Sequence, residues 1–130
     1  AVQDGARPLV TPVLIDRVVE AAARCGAAAP AIPMKDTIKT VTAEGTVTGT
    51  PDRSILRAVQ TPQVFEADLL KAALQSALEN EIPVTDDCSA VERLGKVVYL
   101  IDGSEENLKI TTPMDLVVAE AILAEREARR

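Results

Sequence analysis

From Thr11 to Met34 the chain reads T-P-V-L-I-D-R-V-V-E-A-A-A-R-C-G-A-A-A-P-A-I-P-M. Thr11 offers a capping hydroxyl, and Pro12 suits the first position of a helix. Leu14, Ile15, Val18, Val19 and Ala22 then recur at helical spacing. Gly26 closes the pattern, as glycine does at helix C-termini. Ala28 to Met34 follows as a short buried strand, although Pro30 and Pro33 imply interrupted pairing there. A helix running straight into a buried strand is the repeating step of an α/β fold.

Working outward from this stretch, Ala1-Val2 reads as the end of a buried strand and Asp4 to Pro8 as the loop at its C-terminal end. The chain opens without Met, so it is expected to be the later part of something longer. Downstream, Asp36 to Thr50 places Ile38, Val41 and Val47 among Thr, Lys and Glu, with a turn at Glu44-Gly45. That is a β-hairpin with too little apolar surface to stand alone in water. It is expected to be an arm that reaches a partner subunit. Pro62 breaks any strand between Ile55 and Phe65.

The remaining elements alternate. Glu66 to Asn80 is a helix with Leu69, Leu70, Ala73, Leu74 and Leu78 on one face. Thr85 to Leu94 is a short helix capped by Thr85. Lys96 to Ile101 is a buried strand, and Asn107 to Thr111 a second short one. Thr112-Pro113 repeats the capping device before a final helix that turns Leu116, Ala119, Ile122 and Leu123 inward. Three α/β layers with one antiparallel excursion are expected.

Composition agrees with one such domain. The chain has 130 residues, 47% apolar and 26% charged, with Tyr99 and Phe65 as the only aromatics. Val, Leu, Ile and Ala must therefore build the core. A net charge of −6 argues against a general nucleic-acid binder, which needs a basic surface. No apolar run reaches the length of a membrane span, so no membrane partner is expected. Cys25 and Cys88 lack the spacing of a metal site or a disulfide framework, which suits a reducing, cytoplasmic setting. Histidine is absent, so the commonest general base is missing. Chemistry run by charge placement, such as phosphoryl or nucleotidyl transfer, fits best.

Several residues are candidates for such chemistry. Asp4 sits where open α/β sheets place ligands, and it is either a Mg²⁺ ligand or a turn residue paired with Arg7. Lys109 is either a phosphate contact or a solvated strand lysine. Arg53 and Arg57 either bind an anion or pair with Asp52. Thr61-Pro62-Gln63 is a polar turn, and Thr85 is a cap whose helix N-terminus also favours phosphate.

The order of these pieces carries more than any one of them. Asp4-Gly5-Ala6-Arg7-Pro8 is followed by Lys35-Asp36-Thr37-Ile38-Lys39, then Asp52-Arg53, then Gln60-Thr61-Pro62-Gln63-Val64-Phe65. Thr85-Asp86-Asp87-Cys88-Ser89 comes next, and the run ends on Asn107-Leu108-Lys109-Ile110-Thr111-Thr112-Pro113. This succession resembles the C-terminal half of the 2-C-methylerythritol 4-phosphate cytidylyltransferases. The resemblance implies a partial Rossmann-like nucleotidyltransferase sheet with a projecting β-arm, the arm taking residues 36–60. It implies a cytoplasmic homodimer that uses CTP and Mg²⁺ and releases pyrophosphate. Asp4 would lie near the metal and the substrate, with Gly5 and Arg7 beside it in the substrate loop. Thr37 and Arg53 would reach the partner subunit's sugar-phosphate pocket. Thr61 and Thr85 would add polar contacts, and Lys109 would position the attacking phosphate. Arg53 and Lys109 are then the catalytic candidates.

The family's Gly-rich nucleotide loop has no match in this chain. Gln3 stands where the family usually has His, and Gly5 where it usually has Ala. The isolated chain is therefore expected to bind CTP weakly and to turn over negligibly. A ribitol 5-phosphate cytidylyltransferase shares much of the motif set and is the nearest rival. A catalytically inactive dimerisation fragment is the rival from another class.

Overall fold

The computed structural model describes residues 1–130. Helix α1 (Pro12–Cys25) runs into β1 (Ala27–Pro33), and the hairpin β2 (Thr40–Val41) and β3 (Val47–Gly49) follows. Strands β4 (Arg57–Val59) and β5 (Val64–Phe65) lead to α2 (Ala67–Glu79) and α3 (Asp87–Arg93). Strand β6 (Tyr99–Asp102) and helix α4 (Pro113–Ala128) complete the chain.

The opening helix forms as its sequence dictates. Thr11 Oγ1 accepts a hydrogen bond from Leu14 N at 3.2 Å. Gly26 adopts φ 90°, and its N–H donates to Ala22 O. That left-handed turn suits glycine and lets the strand begin at once.

Strand β1 is the centre of the sheet. Antiparallel β4 and β5 share one of its edges, and parallel β6 lies on the other. Side chains alternate along a strand, and here the alternation sorts two cores. Ala27 and Ala29 pack with Phe65, Ala73, Cys88, Ala90 and Val91 beneath α2 and α3. Ala28 packs with Leu14, Val18, Ala21, Ala22 and Val64 beneath α1. The result is three layers. Val18 and Val91 are fully buried, and each such burial contributes about 1.5–3 kcal/mol.

Pro30 is tolerated in this central strand for a geometric reason. Its carbonyl accepts from Gln60 N at 2.8 Å, across the gap between β4 and β5. The N and C=O of a strand residue point to the same edge, so the missing N–H faces that gap. The ladder to β6 runs unbroken from Ala28 to Ala31.

The structure corrects several expectations. Val2 forms a single antiparallel bridge to Gln63 and is exposed, instead of ending a buried strand. Strands do form on both sides of Pro62, because β4 and β5 pair with different parts of β1. Strand β6 starts later than expected and is an exposed edge, with Tyr99 53% and Leu100 44% accessible. Residues 107–111 form no strand, and the loop there is held by Ile110 N donating to Ala6 O at 2.8 Å. Asp86, not Thr85, caps α3, because Asp86 and Ser89 close a reciprocal capping box.

Two helices turn differently from their reading. In α2 the buried positions are Ala73 and Ala77, while Leu74 and Leu78 are exposed. In α4 only Ala119 is buried, while Leu116 and Leu123 are exposed. Consecutive apolar residues such as Leu116, Val117, Val118 and Ala119 leave no single face marked by periodicity.

The segment read as the arm, 36–60, divides in two. Strands β2 and β3 make a separate two-stranded sheet, with Val41 and Val47 exposed. Strand β4 and the buried Gln60 belong to the main sheet.

Candidate substrate cleft

Asp4 lies in the loop after Val2, held from two sides. Its N–H donates to Thr61 Oγ1 at 3.1 Å, and its Oδ1 accepts from Ala6 N at 3.1 Å. The second bond is a local turn of the kind Asp favours. It fixes the carboxylate so that Oδ2 lies 3.6 Å from Lys109 Nζ and 4.0 Å from Arg7 Nε. Lys109 is half exposed, so solvent screens that pair and it adds little stability.

Arg7 is more deeply placed. Its Nη1 donates to the backbone oxygen of Asn107 at 2.6 Å. Burial pushes the guanidinium's pKa down, and neighbouring Asp4 opposes that shift. Arg7 thus joins the loop that carries Asp4 to the loop that carries Lys109.

A cleft of 200 Å³ opens beside Asp4, lined by Val2, Gln3, Asp4, Thr61, Gln63, Asp86 and Asp87. Gln63 Nε2 donates to Asp86 Oδ2 at 3.0 Å, and Gln63 Oε1 accepts from Cys88 N at 3.0 Å. The same Asp86 accepts from Ser89 N at 2.8 Å as the cap of α3. The floor of the cleft is therefore fixed by hydrogen bonds rather than by apolar packing.

The structure brings Asp4, Arg7, Thr61 and Lys109 to one place. Gly5 sits in the same loop, exposed, and a Cβ there would touch nothing within 4 Å. Its conformation makes no demand for glycine. Thr85 is exposed and does not line the cleft. Thr37 is exposed on the arm side. Arg53 follows the arm in a short 3-10 turn and donates to the Lys35 carbonyl. Neither touches the cleft of its own chain. Lys35 Nζ in turn meets Glu105 Oε1 at 2.6 Å, which ties the arm's base to the loop before Asn107.

The polar turn at Thr61-Pro62-Gln63 does reach the cleft, whereas Asp86 as a cleft residue and Gln60 and Asn107 as buried polar ones are not marked in the sequence reading. The spacing Asp86-x-x-Ser89 is a capping-box signal that could have placed Asp86. The buried amides carry no periodic signal.

No three His, Cys, Asp or Glu side chains are grouped to hold a metal by themselves. The cleft's polar lining consists of carboxylate, hydroxyl and amide side chains. That set fits a hard cation bound by one or two carboxylates and completed by phosphate and water. Asp4 is suitably placed for it. The lining itself holds no cation, and Lys109 brings a positive charge to the cleft's edge beside Asp4.

Comparison with known proteins bears on these residues. The family model for 2-C-methyl-D-erythritol 4-phosphate cytidylyltransferase matches residues 1–125. The enzyme of that name from Desulforamulus reducens is 52% identical over 125 residues, covering 96% of this chain and 53% of the relative. That from Nocardia farcinica is 52% identical over 128 residues, covering 98% and 54%. The crystal structure of the Thermus thermophilus enzyme aligns with TM-score 0.84 at 42% identity, over 92% of this chain and 59% of that one. The Francisella tularensis enzyme aligns with TM-score 0.85 at 32% identity, over 91% and 56%. The chain spans about half the length of the curated relatives it matches.

Proposed function

Since the chain belongs to the 2-C-methyl-D-erythritol 4-phosphate cytidylyltransferase family, we propose that it supplies the sugar-phosphate pocket for transfer of a cytidylyl group from CTP to that substrate. The reaction releases pyrophosphate and serves non-mevalonate isoprenoid synthesis. The observation that carries this reading is the convergence of Asp4, Arg7, Thr61 and Lys109 from three distant segments.

The chemistry follows from charge. A phosphate oxygen of the sugar alcohol attacks the α-phosphate of CTP, and both reactants are anions. Lys109 offsets their repulsion and holds the attacking phosphate near Asp4. Arg7 fixes the loop that presents Asp4. No proton shuttle is needed, in keeping with a chain that has no histidine. Asp4 would hold Mg²⁺, which would supply further neutralisation of charge.

The working assembly is a homodimer. The hairpin's Val41 and Val47 face solvent, and Thr37 and Arg53 lie away from their own cleft. An arm docked on a second copy gives all four a surface, and it brings Arg53 to that copy's pocket as the second catalytic cation. Free Cys25 and Cys88 suit a cytoplasmic protein, and no helix is long and apolar enough to cross a membrane.

Calorimetric titration with methylerythritol phosphate tests the reading, with ribitol 5-phosphate as comparison and Arg53→Ala as control. Saturable binding of the first, weakened by the substitution, is expected. Tighter binding of ribitol phosphate, or no binding by a folded chain, overturns it.

A further inference from the structure

We infer that Asn107 is a positioning residue that sets the cleft's three segments in register, an inference that rests on the sugar-phosphate reading above. Asn107 is 1% exposed. Its Nδ2 donates to Thr61 O at 2.9 Å and to Gln60 Oε1 at 3.3 Å. Its backbone oxygen accepts from Arg7 Nη1 at 2.6 Å. One residue thus touches the turn that carries Thr61 and the loop that carries Asp4, while itself standing two places before Lys109.

The support around it is continuous. Gln60 Nε2 donates to Ser104 O at 2.8 Å, and Gln60 Oε1 accepts from Ser104 N at 3.2 Å. This pair clamps the start of the Lys109 loop. Gly103 leaves room for the Gln60 amide, since a Cβ there would collide with Gln60 Oε1 and crowd the Ala31 backbone. Flipping the Asn107 amide would set its oxygen against the Thr61 carbonyl, so the network fixes its orientation. Asn107 Oδ1 is buried without a partner. The amide is therefore held by its donor side, and a residue lacking that N–H₂ cannot replace it.

Asn107 itself does not line the open cleft. Its effect passes through Arg7, Thr61 and Lys109, whose spacing decides whether one phosphate can meet them together.

Hydrogen exchange on the whole chain reads the tie directly. In the unmodified protein the amides of Asp4, Ser104 and Ile110 should share one opening free energy under native-state exchange. In Asn107→Ala, and in the milder Asn107→Ser, all of them should lose protection by about tenfold or more, the scale of a lost buried hydrogen bond. Separate opening energies, or loosening confined to residues 104–108, overturns the proposal. Where a variant does not fold, separate opening energies in the unmodified chain still overturn the proposal.

Titration with methylerythritol phosphate separates this from the functional reading. Each Asn107 variant should bind about tenfold more weakly, and the loss should be smaller in an Arg7→Lys background, where the bond from Arg7 to the Asn107 backbone oxygen is already weakened. Equal affinity in the folded variants, or losses that simply add, refutes the positioning role while the function stands. No binding by the unmodified chain, with the shared opening intact, removes the function and leaves the tie.

Discussion

Lys109 Nζ stands 3.6 Å from Asp4 Oδ2, although the two residues come from opposite ends of the chain. Each side chain is partly open to solvent. A close but solvated pair of this kind exchanges partners cheaply. It is suited to receive an anion on the lysine and a cation on the carboxylate.

Lys109→Ala should therefore weaken methylerythritol phosphate binding by about 1.5–3 kcal/mol, the range for a hydrogen bond to a charged group. Lys109→Arg should recover part of it. Unfolding stability should change by less than about 1 kcal/mol. Titration calorimetry paired with urea unfolding reads both; an alanine variant that binds as tightly as the parent counts against a phosphate role.

Gly103→Ala should destabilise the fold by about 1–3 kcal/mol through overpacking against Gln60 and Ala31. Gly5→Ala should be nearly neutral, since nothing lies within 4 Å of the added methyl. Urea midpoints of the two variants, compared side by side, check the contrast.

Much of this arrangement was legible before the structure. The caps at Thr11 and Thr112, the stop at Gly26 and the hairpin at residues 40–49 are local signals, and local rules read them well. Asp4, Arg7, Thr61 and Lys109 stand out through their order along the chain, and the fold brings them together. What stayed hidden depends on distant pairing. Strands β4 and β5 are too short to show a period, and they exist because β1 offers them an edge. Leu74, Leu78, Leu116 and Leu123 lie on helices with more than one apolar face. Gln60 and Asn107 look like ordinary loop residues until their partners, far off in sequence, are known.

Acid should loosen the Lys109 loop. Glu106 has its pKa held below the ordinary 4.5, first by the hydrogen bond from Arg126, with Arg129 adding to it. A carboxylate lowered on folding contributes stability above its unfolded pKa and loses it as pH falls toward the folded value. The parent should thus lose more stability below pH 4.5 than Glu106→Gln does. Parallel thermal melts across that window would show this, and identical acid slopes would contradict it.

Cys88 should resist alkylation. Burial, then Asp86, Glu92 and Asp87, push its thiol from 9.0 to about 12. The folded state favours the neutral thiol, so its contribution is complete below pH 9.0 and fades as pH climbs toward about 12. Mass spectrometry after iodoacetamide at mildly alkaline pH should find Cys88 unmodified until denaturant is added. Rapid labelling of the folded chain would show that the thiol is neither buried nor neutral.

Deleting residues 38–50 should convert the proposed dimer to monomer without unfolding the body, because β2 and β3 share no ladder with the main sheet. Sedimentation of the deletion variant provides the check. A dimer that survives the deletion places the interface elsewhere.

The three alanines at the start of β1 have a mechanical consequence. Ala27 and Ala29 press on one layer and Ala28 on the other, with only a methyl group between backbone and helix. The central strand is a thin partition between two half-cores. A larger side chain at any of these positions would lift a whole layer off its seat. Adjustment to new volume must come from the helices, which can shift and re-choose rotamers, while the partition itself stays fixed.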